Sequence, residues 1–450
     1  MPESPQSPAL ADQLLAAARA IRAVLEGQSL SDALEAAPAA LRPAAQALSF
    51  HAMRRLGHAR AVSGLLVPRR PPERLVESLI LLGLSLLEAS LRQAEGVPQP
   101  PGTPVYHEHT LVHQLVEAAA ADRRARPAKG LINAVLRRYG RERAALNAAL
   151  ADTPEAVWNH PGWWIDTVRD AWPDDWQSIL NAADQPPPMA LRANVRRIAR
   201  DALQARLDEA GLRARPVGED GLVLDAPRPV RDIPGYAEGW WSVQDPSAQR
   251  AAQLLPLQDG MRTLDACAAP GGKTAHLLER HTLRLTALDS DARRLERVGE
   301  NLRRLGLESS DVVLRCADAA QPESWWDGQP YDAILADVPC TASGVVRRHP
   351  DIRWLRRADD LARTAALQAR IMDALWPLLA PGGHLLYATC SIFPQEGESQ
   401  VRSFLDRHPE ARRLPAPGHI LPGGPDDGDG FFYALLHKTH EPGPEPVPAG

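Results

Sequence analysis

Apolar residues in the first third of the chain recur at helical spacing, as in Leu14, Leu15, Ala18, Ile21 and Leu25, which gathers them on one face of a helix. The most apolar run, Leu75 to Leu91, is interrupted by Glu77, Ser78 and Glu88. It is too short and too polar to span a bilayer, and predicts a buried helix. Breakers at Pro68–Pro72 and Gly96–Pro104 divide these helices, and Lys129–Arg138 adds another with a basic end. Residues 1–150 therefore predict an all-helical domain. Between 151 and 238 the pattern is different. Trp158, Trp163, Trp164, Trp172 and Trp176 suggest packing, and they precede a strand near Met189–Asn194, a helix near Ile198–Ala210 and a strand at Gly221–Leu224, a small α+β module.

From 239 to 440 short apolar runs alternate with helical patterns. The runs Thr263–Ala266, Arg284–Leu288, Val312–Cys316, Ala333–Ala336 and His384–Ala388 predict a doubly wound, mainly parallel sheet. Asp429–Leu436 adds a terminal strand, in a hairpin after the loop 423–430. The fold class is α/β, a Rossmann-like domain preceded by an all-α domain and the α+β module. The proline-bearing ends, residues 1–8 and 441–450, predict disorder.

Composition narrows the function classes. With 44% hydrophobic and 24% charged residues the chain reads as soluble and globular, and its start carries neither a basic segment nor a signal-peptide apolar core, so a cytoplasmic location is expected. The four cysteines, at 267, 316, 340 and 390, form no CxxC pair, which fits a reducing compartment and speaks against a structural zinc site. His107, His109 and His113 lack a partnering carboxylate or cysteine set and read as surface or cap residues; no metal is expected. The net charge of −5 does not advertise nucleic acid. Local charge does: Arg123, Arg124 and Arg126; Arg192, Arg196, Arg197 and Arg200; and Arg347, Arg348, Arg353, Arg356 and Arg357, with His349 and Trp354 among the last group. Such clusters suit a polyanion, whose counterions are released on binding.

The chemistry lies at strand ends. Thr263–Ala266 runs into Cys267-Ala-Ala-Pro-Gly-Gly-Lys-Thr274 and then a helix, which sets small residues and free backbone N–H groups where a nucleotide-like cofactor meets a helix N-terminus. A P-loop would need glycine at Cys267, so the NTPase reading fails there. Asp289 and Asp318 follow later strands, suited to ribose hydroxyls and an adenine amino group, and the series outlines an S-adenosylmethionine pocket. Cys340 and Cys390 each close an apolar strand-like run. Two thiols placed this way suggest nucleophile chemistry, against the plainer alternative of buried structural cysteines. Their spacing alone does not decide which one attacks.

The runs Leu264–Thr274, Asp337–Trp354 and Tyr387-Ala-Thr-Cys-Ser391 resemble those of the RNA cytosine-5 methyltransferases. Arg347-Arg-His-Pro-Asp351, Asp429-Gly-Phe-Phe-Tyr433 and Lys129-Gly-Leu-Ile-Asn133 point within that family to the RsmB-type 16S ribosomal RNA branch, which carries a NusB-like helical N-terminal domain. The resemblance covers nearly the whole chain. Val338, where alanine is usual, and Ala266, where a bulkier residue is common, are small departures. The resemblance implies a class I S-adenosylmethionine-dependent methyltransferase domain and a 16S rRNA substrate, with no membrane partner; a monomer is compatible with the sequence. It further implies Cys390 as nucleophile, Cys340 as the residue that assists release, and Asp337 and Lys273 as catalytic helpers. DNA enzymes of related chemistry use a Pro-Cys nucleophile instead, which would choose Cys340. Cofactor contacts are expected from Cys267, Ala268, Ala269, Pro270, Gly271, Gly272, Lys273, Asp289, Asp318 and Asp337. RNA contacts are expected from Arg347, Arg348, His349, Arg353, Arg192 and Arg196. A non-catalytic RNA-binding or assembly factor that keeps the fold is the rival reading, disfavoured by the intact cysteines, Asp337 and glycine turn.

Overall fold

A computed structural model describes residues 8–424 and 426–439. The tail 441–450 and residues 1–7, both expected to be disordered, lie outside them. The chain divides into two compact units, Met1–Pro186 with Val346–Ala358, and Pro187–Val345 with Asp359–Gly450.

The first unit is helical, with long helices at Leu10–Leu25, Arg74–Ala94 and Lys129–Ala149. Arg74–Ala94 buries its apolar run from Leu79 to Leu87, as the sequence predicts. Two things differ from the expected boundary at residue 150. The tryptophan segment belongs to this unit, with Trp164 buried, and so does the short helix Ile352–Leu355. That helix is tied in by specific bonds. Trp354 donates its indole N–H to the Met53 carbonyl at 2.9 Å, Asp351 accepts from the Leu30 N–H at 2.9 Å, and Arg353 donates to Asp184 at 2.6 Å. No helix among the described residues is long and apolar enough to cross a membrane.

The second unit holds two sheets. Strands β1 (Ala190–Ala193), β2 (Ala214–Val217), β3 (Gly221–Leu224) and β4 (Trp241–Val243) form an antiparallel sheet in the order β2-β3-β1-β4, with the helix Arg200–Glu209 joining β1 to β2. Strands β5 (Arg262–Ala266), β6 (Arg284–Asp289), β7 (Val312–Cys316), β8 (Tyr331–Asp337), β9 (Leu379–Thr389), β10 (Ala411–Ile420) and β11 (Phe431–Lys438) form a seven-stranded sheet in the order β10-β11-β9-β8-β5-β6-β7. Pairs among β5 to β9 are parallel, while β11 runs antiparallel to β9 and β10. Leu264, Ile334, Leu335, Leu385 and Leu386 are each 0% exposed, which is why these central strands read as continuous apolar runs rather than alternating ones. From β5 the chain builds outward through β6 and β7, then returns to add β8 on the other side of β5. In open α/β sheets ligands bind outside the carboxyl ends of the strands at such a reversal, here those of β5 and β8.

Three strands escaped the sequence pattern. β4 has three residues, and β2 contains Pro216 at a sheet edge. β10 carries Pro415 and Pro417 and its register slips between Leu414 and Gly418. Edge strands tolerate proline because one side of the ladder needs no donor.

Candidate active site

The glycine turn sits at the carboxyl end of β5. Cys267 has φ +63 and Gly271 φ +93, left-handed backbone that reverses the chain into the helix Gly272–Arg280. A Cβ on Gly271 would lie 3.0 Å from Val298 Cγ1 and 3.1 Å from Val298 Cα, a tight contact added to a left-handed conformation that L side chains rarely adopt. Asp289, at the end of β6 and 3% exposed, accepts from the N–H of Ala269 at 3.1 Å and of Asp291 at 3.0 Å. Each carboxylate oxygen retains a second lone pair. Asp318 is exposed and accepts from the Ala320 N–H at 2.9 Å and from Gln321 Nε2 at 3.2 Å. Burial, reinforced by the neighbouring carboxylates, pushes the Cys267 thiol up. Beneath the turn, Asp265 is fully buried; it accepts from Thr274 Oγ1 at 2.6 Å, and burial pushes its carboxyl up to about 7.

The second half of the site comes from β8 and β9. Lys273, in the first turn of the helix after the glycine turn, donates to Asp337 at the end of β8 at 2.6 Å and stands over the Phe431 ring at 5.3 Å. Burial opposes its charge, yet Asp337 and Cys390 hold the lysine above its ordinary value, so it remains a cation. Cys340, three residues past β8, and Cys390, directly after β9, approach to 3.4 Å between sulfurs. The hydrogen bond to Cys390 and burial raise the Cys340 thiol well above its ordinary value. The loop between Cys340 and Val345 is pinned on both sides: Gly344 donates to the Cys390 carbonyl at 2.9 Å, and Gly430 donates to the Gly344 carbonyl at 2.9 Å.

The arginines expected to contact RNA divide. Arg192 is a correction: it is fully buried, with its guanidinium forked onto Glu279 at 2.7 Å through both contacts, a further bond to the Gly272 carbonyl at 2.7 Å and another to Gln244. It braces the helix of the glycine turn against β1 and is closed to a polyanion. Arg353 is a second correction, 0% exposed and bonded to Asp184 and to the Asn159 and Ala183 carbonyls. Arg347 is a third, at 3% exposed. Arginine clusters look alike in sequence whether they face water or cross a core, because the guanidinium fork suits both. Arg348 is half-buried, His349 and Arg196 are exposed, and Arg196 also donates to the Leu278 carbonyl at 2.6 Å. Cys316 is exposed on edge strand β7, with its sulfur 3.7 Å from the Ser290 carbonyl.

Sequence reasoning missed Glu396, a fully buried carboxylate beside both cysteine loops. Its one signal in the sequence is an acid six residues past Cys390 in the turn-forming run Pro394-Gln-Glu-Gly397. Arg192 likewise acts as a brace that its cluster did not reveal.

A left-handed glycine turn, a helix N-terminus and a buried strand-end carboxylate together suit the methionine, sulfonium and ribose parts of S-adenosylmethionine. The comparisons with known proteins agree. Residues 252–437 match the family model described as 16S rRNA methyltransferase RsmB/F, and residues 160–231 match a ferredoxin-like domain of RsmF/B-like methyltransferases. The ribosomal RNA small subunit methyltransferase B of Vibrio cholerae serotype O1 is 44% identical over 439 residues, covering 94% of this chain and 97% of that protein. Two solved structures share the fold. PH0851 is 23% identical with a TM-score of 0.74, covering 96% of this chain and 99% of that one. NSun6 from Pyrococcus horikoshii with SFG is 21% identical with a TM-score of 0.54, covering 62% and 99%. The chain belongs to the RsmB/F family of 16S rRNA methyltransferases, with S-adenosyl-L-methionine as methyl donor.

Proposed function

We propose that the protein methylates carbon 5 of a cytosine in 16S ribosomal RNA through a covalent bond between Cys390 and the base, acting in the cytoplasm. The observation that carries this reading is the pair of sulfurs 3.4 Å apart beside the Lys273–Asp337 ion pair. A methyltransferase acting on a nitrogen or a ribose hydroxyl has no use for two adjacent thiols, whereas carbon 5 of cytosine is too weak a nucleophile to react unaided.

The cofactor supplies an electrophilic methyl group on a sulfonium. Cys390, as thiolate, adds to carbon 6 of the ring and turns carbons 5 and 4 into an enamine-like nucleophile. Carbon 5 then takes the methyl group. A base removes the proton from carbon 5, the double bond between carbons 5 and 6 reforms, and the Cys390 thiolate leaves. Asp337 faces nitrogen 3 and the amino group and stabilises the electron-accepting form of the ring. Lys273 fixes Asp337. Cys340, beside Cys390, assists release. The base reaches the thiols unstacked; Arg348 and His349 in the first unit and Arg196 in the second remain candidates for RNA phosphates.

Incubation of purified protein with labelled S-adenosylmethionine and undermodified 16S rRNA, followed by nucleoside analysis, tests this. The expected product is 5-methylcytidine, lost in Cys390→Ala. Label in any other nucleoside, or a fully active Cys390→Ala, overturns the reading; no transfer to naked rRNA or to partly assembled subunits favours a binding factor.

A further inference from the structure

Glu396 is fully buried, and its carboxylate collects five hydrogen bonds from neutral donors. Oε1 accepts from the Thr341 N–H at 2.8 Å, Thr364 Oγ1 at 2.7 Å and Gln368 Nε2 at 3.1 Å; Oε2 accepts from the Thr341 hydroxyl and from Ser391 Oγ at 2.6 Å. Thr341 is the residue after Cys340, and Ser391 is the residue after Cys390. One carboxylate thus holds the chain immediately beyond each reactive thiol. Gln368 closes the ring, since its Nε2 also donates to the Pro339 carbonyl at 2.9 Å, just before Cys340. The Glu396 carbonyl accepts from Tyr387 Oη at 2.8 Å, which ties it to β9 itself. A buried carboxylate is costly unless richly hydrogen-bonded, and an apolar residue could fill this space more cheaply. What an apolar residue could not do is bond to both loops at once.

We propose that Glu396 is a positioning residue that sets the separation and aim of Cys390 and Cys340, so that one thiol forms the bond to the base and the other is in place to help break it. This rests on the two-thiol reading above. The Ser391 arm aims the attacking sulfur. The Thr341 arm aims the releasing one. Shifts of about 1 Å in reacting groups cost on the order of a hundredfold in rate, so the clasp acts on turnover and leaves cofactor affinity alone.

The test uses the full-length protein with labelled S-adenosylmethionine and the rRNA substrate. It measures kcat, KM for RNA, cofactor affinity by calorimetry, and the rates at which the covalent adduct forms and resolves. Glu396→Gln is expected to lower kcat by about a hundredfold with KM and cofactor affinity within about threefold. Because that variant could fail to fold, Ser391→Ala and Thr341→Val separate the arms: the first slows adduct formation, the second slows adduct resolution. Wild-type rates for both adduct steps in both arm variants overturn the proposal. So does a uniform loss of cofactor binding together with turnover, which marks a merely structural carboxylate. Cys390→Ala, run alongside, distinguishes the two levels. If it still forms the adduct, the two-thiol reading fails; if it does not and the clasp variants behave as wild type, the positioning role alone fails.

Discussion

The two halves of the site are held by opposite means. In the cofactor half, the buried carboxylate of Glu279 is neutralised by the equally buried Arg192, and the pair braces the helix that follows the glycine turn. In the cysteine half, the buried carboxylate of Glu396 is met by neutral donors that lead to both thiol loops. An ion pair is a local solution. It can be exchanged for apolar packing if both partners go together, because its task is to fill and fix a core. A carboxylate solvated by loop donors has no single partner to exchange with, so any change to it is felt where its donors lead. The cofactor half should therefore be sensitive in stability, and the cysteine half in rate.

The largest expected effect breaks the cofactor half. Arg192→Met strands the Glu279 carboxylate and should destabilise the protein by about 3–5 kcal/mol in chemical denaturation, while the double variant Arg192→Met/Glu279→Leu recovers most of that loss. A double variant no better than the single one would show that the pair does more than brace. Next comes pH. Burial holds the Asp265 carboxyl at about 7 against an ordinary 3.8, so the folded state binds that proton more tightly than the unfolded chain. The contribution is full below the unfolded value and is lost as pH rises through the folded one. Denaturation midpoints should report a fall of about 2 kcal/mol in this group's contribution between about pH 5.5 and pH 8, a slope that Asp265→Asn removes.

A smaller effect sharpens the contrast within the same half. Gly271→Ala forces a side chain into the left-handed turn against Val298 and should weaken S-adenosylmethionine binding by about tenfold in calorimetry, while leaving the thiols' adduct chemistry intact at saturating cofactor. The smallest concerns neither half. Arg348→Ala should lower RNA affinity about threefold and reduce the salt slope of binding by about one. Arg353→Ala instead should unfold the helical unit more readily, by about 3 kcal/mol, since it strands Asp184. If Arg353→Ala changes the salt slope and not the stability, its reading as a core residue is wrong.

Much of this was legible in the residues. The central strands β5, β6, β8 and β9 announced themselves because burial on both faces demands continuous apolar runs, and the glycine turn did because left-handed backbone favours glycine. β10 was hidden by Pro415 and Pro417, which an edge position forgives. The partners of Arg192 and Arg353, which decide whether an arginine meets water or a carboxylate, lie 87 and 169 residues away in sequence; no local pattern encodes them. Glu396 was hidden for the same reason. Its importance lies in which donors reach it, and Thr341 is 55 residues distant.

The proposed division of labour lies between two thiols 3.4 Å apart. Denaturing electrophoresis of Cys390→Ala and Cys340→Ala after incubation with S-adenosylmethionine and undermodified 16S rRNA addresses it directly. A covalent protein–RNA species that accumulates in Cys340→Ala and never forms in Cys390→Ala is the expected result; the reverse pattern would contradict the assignment.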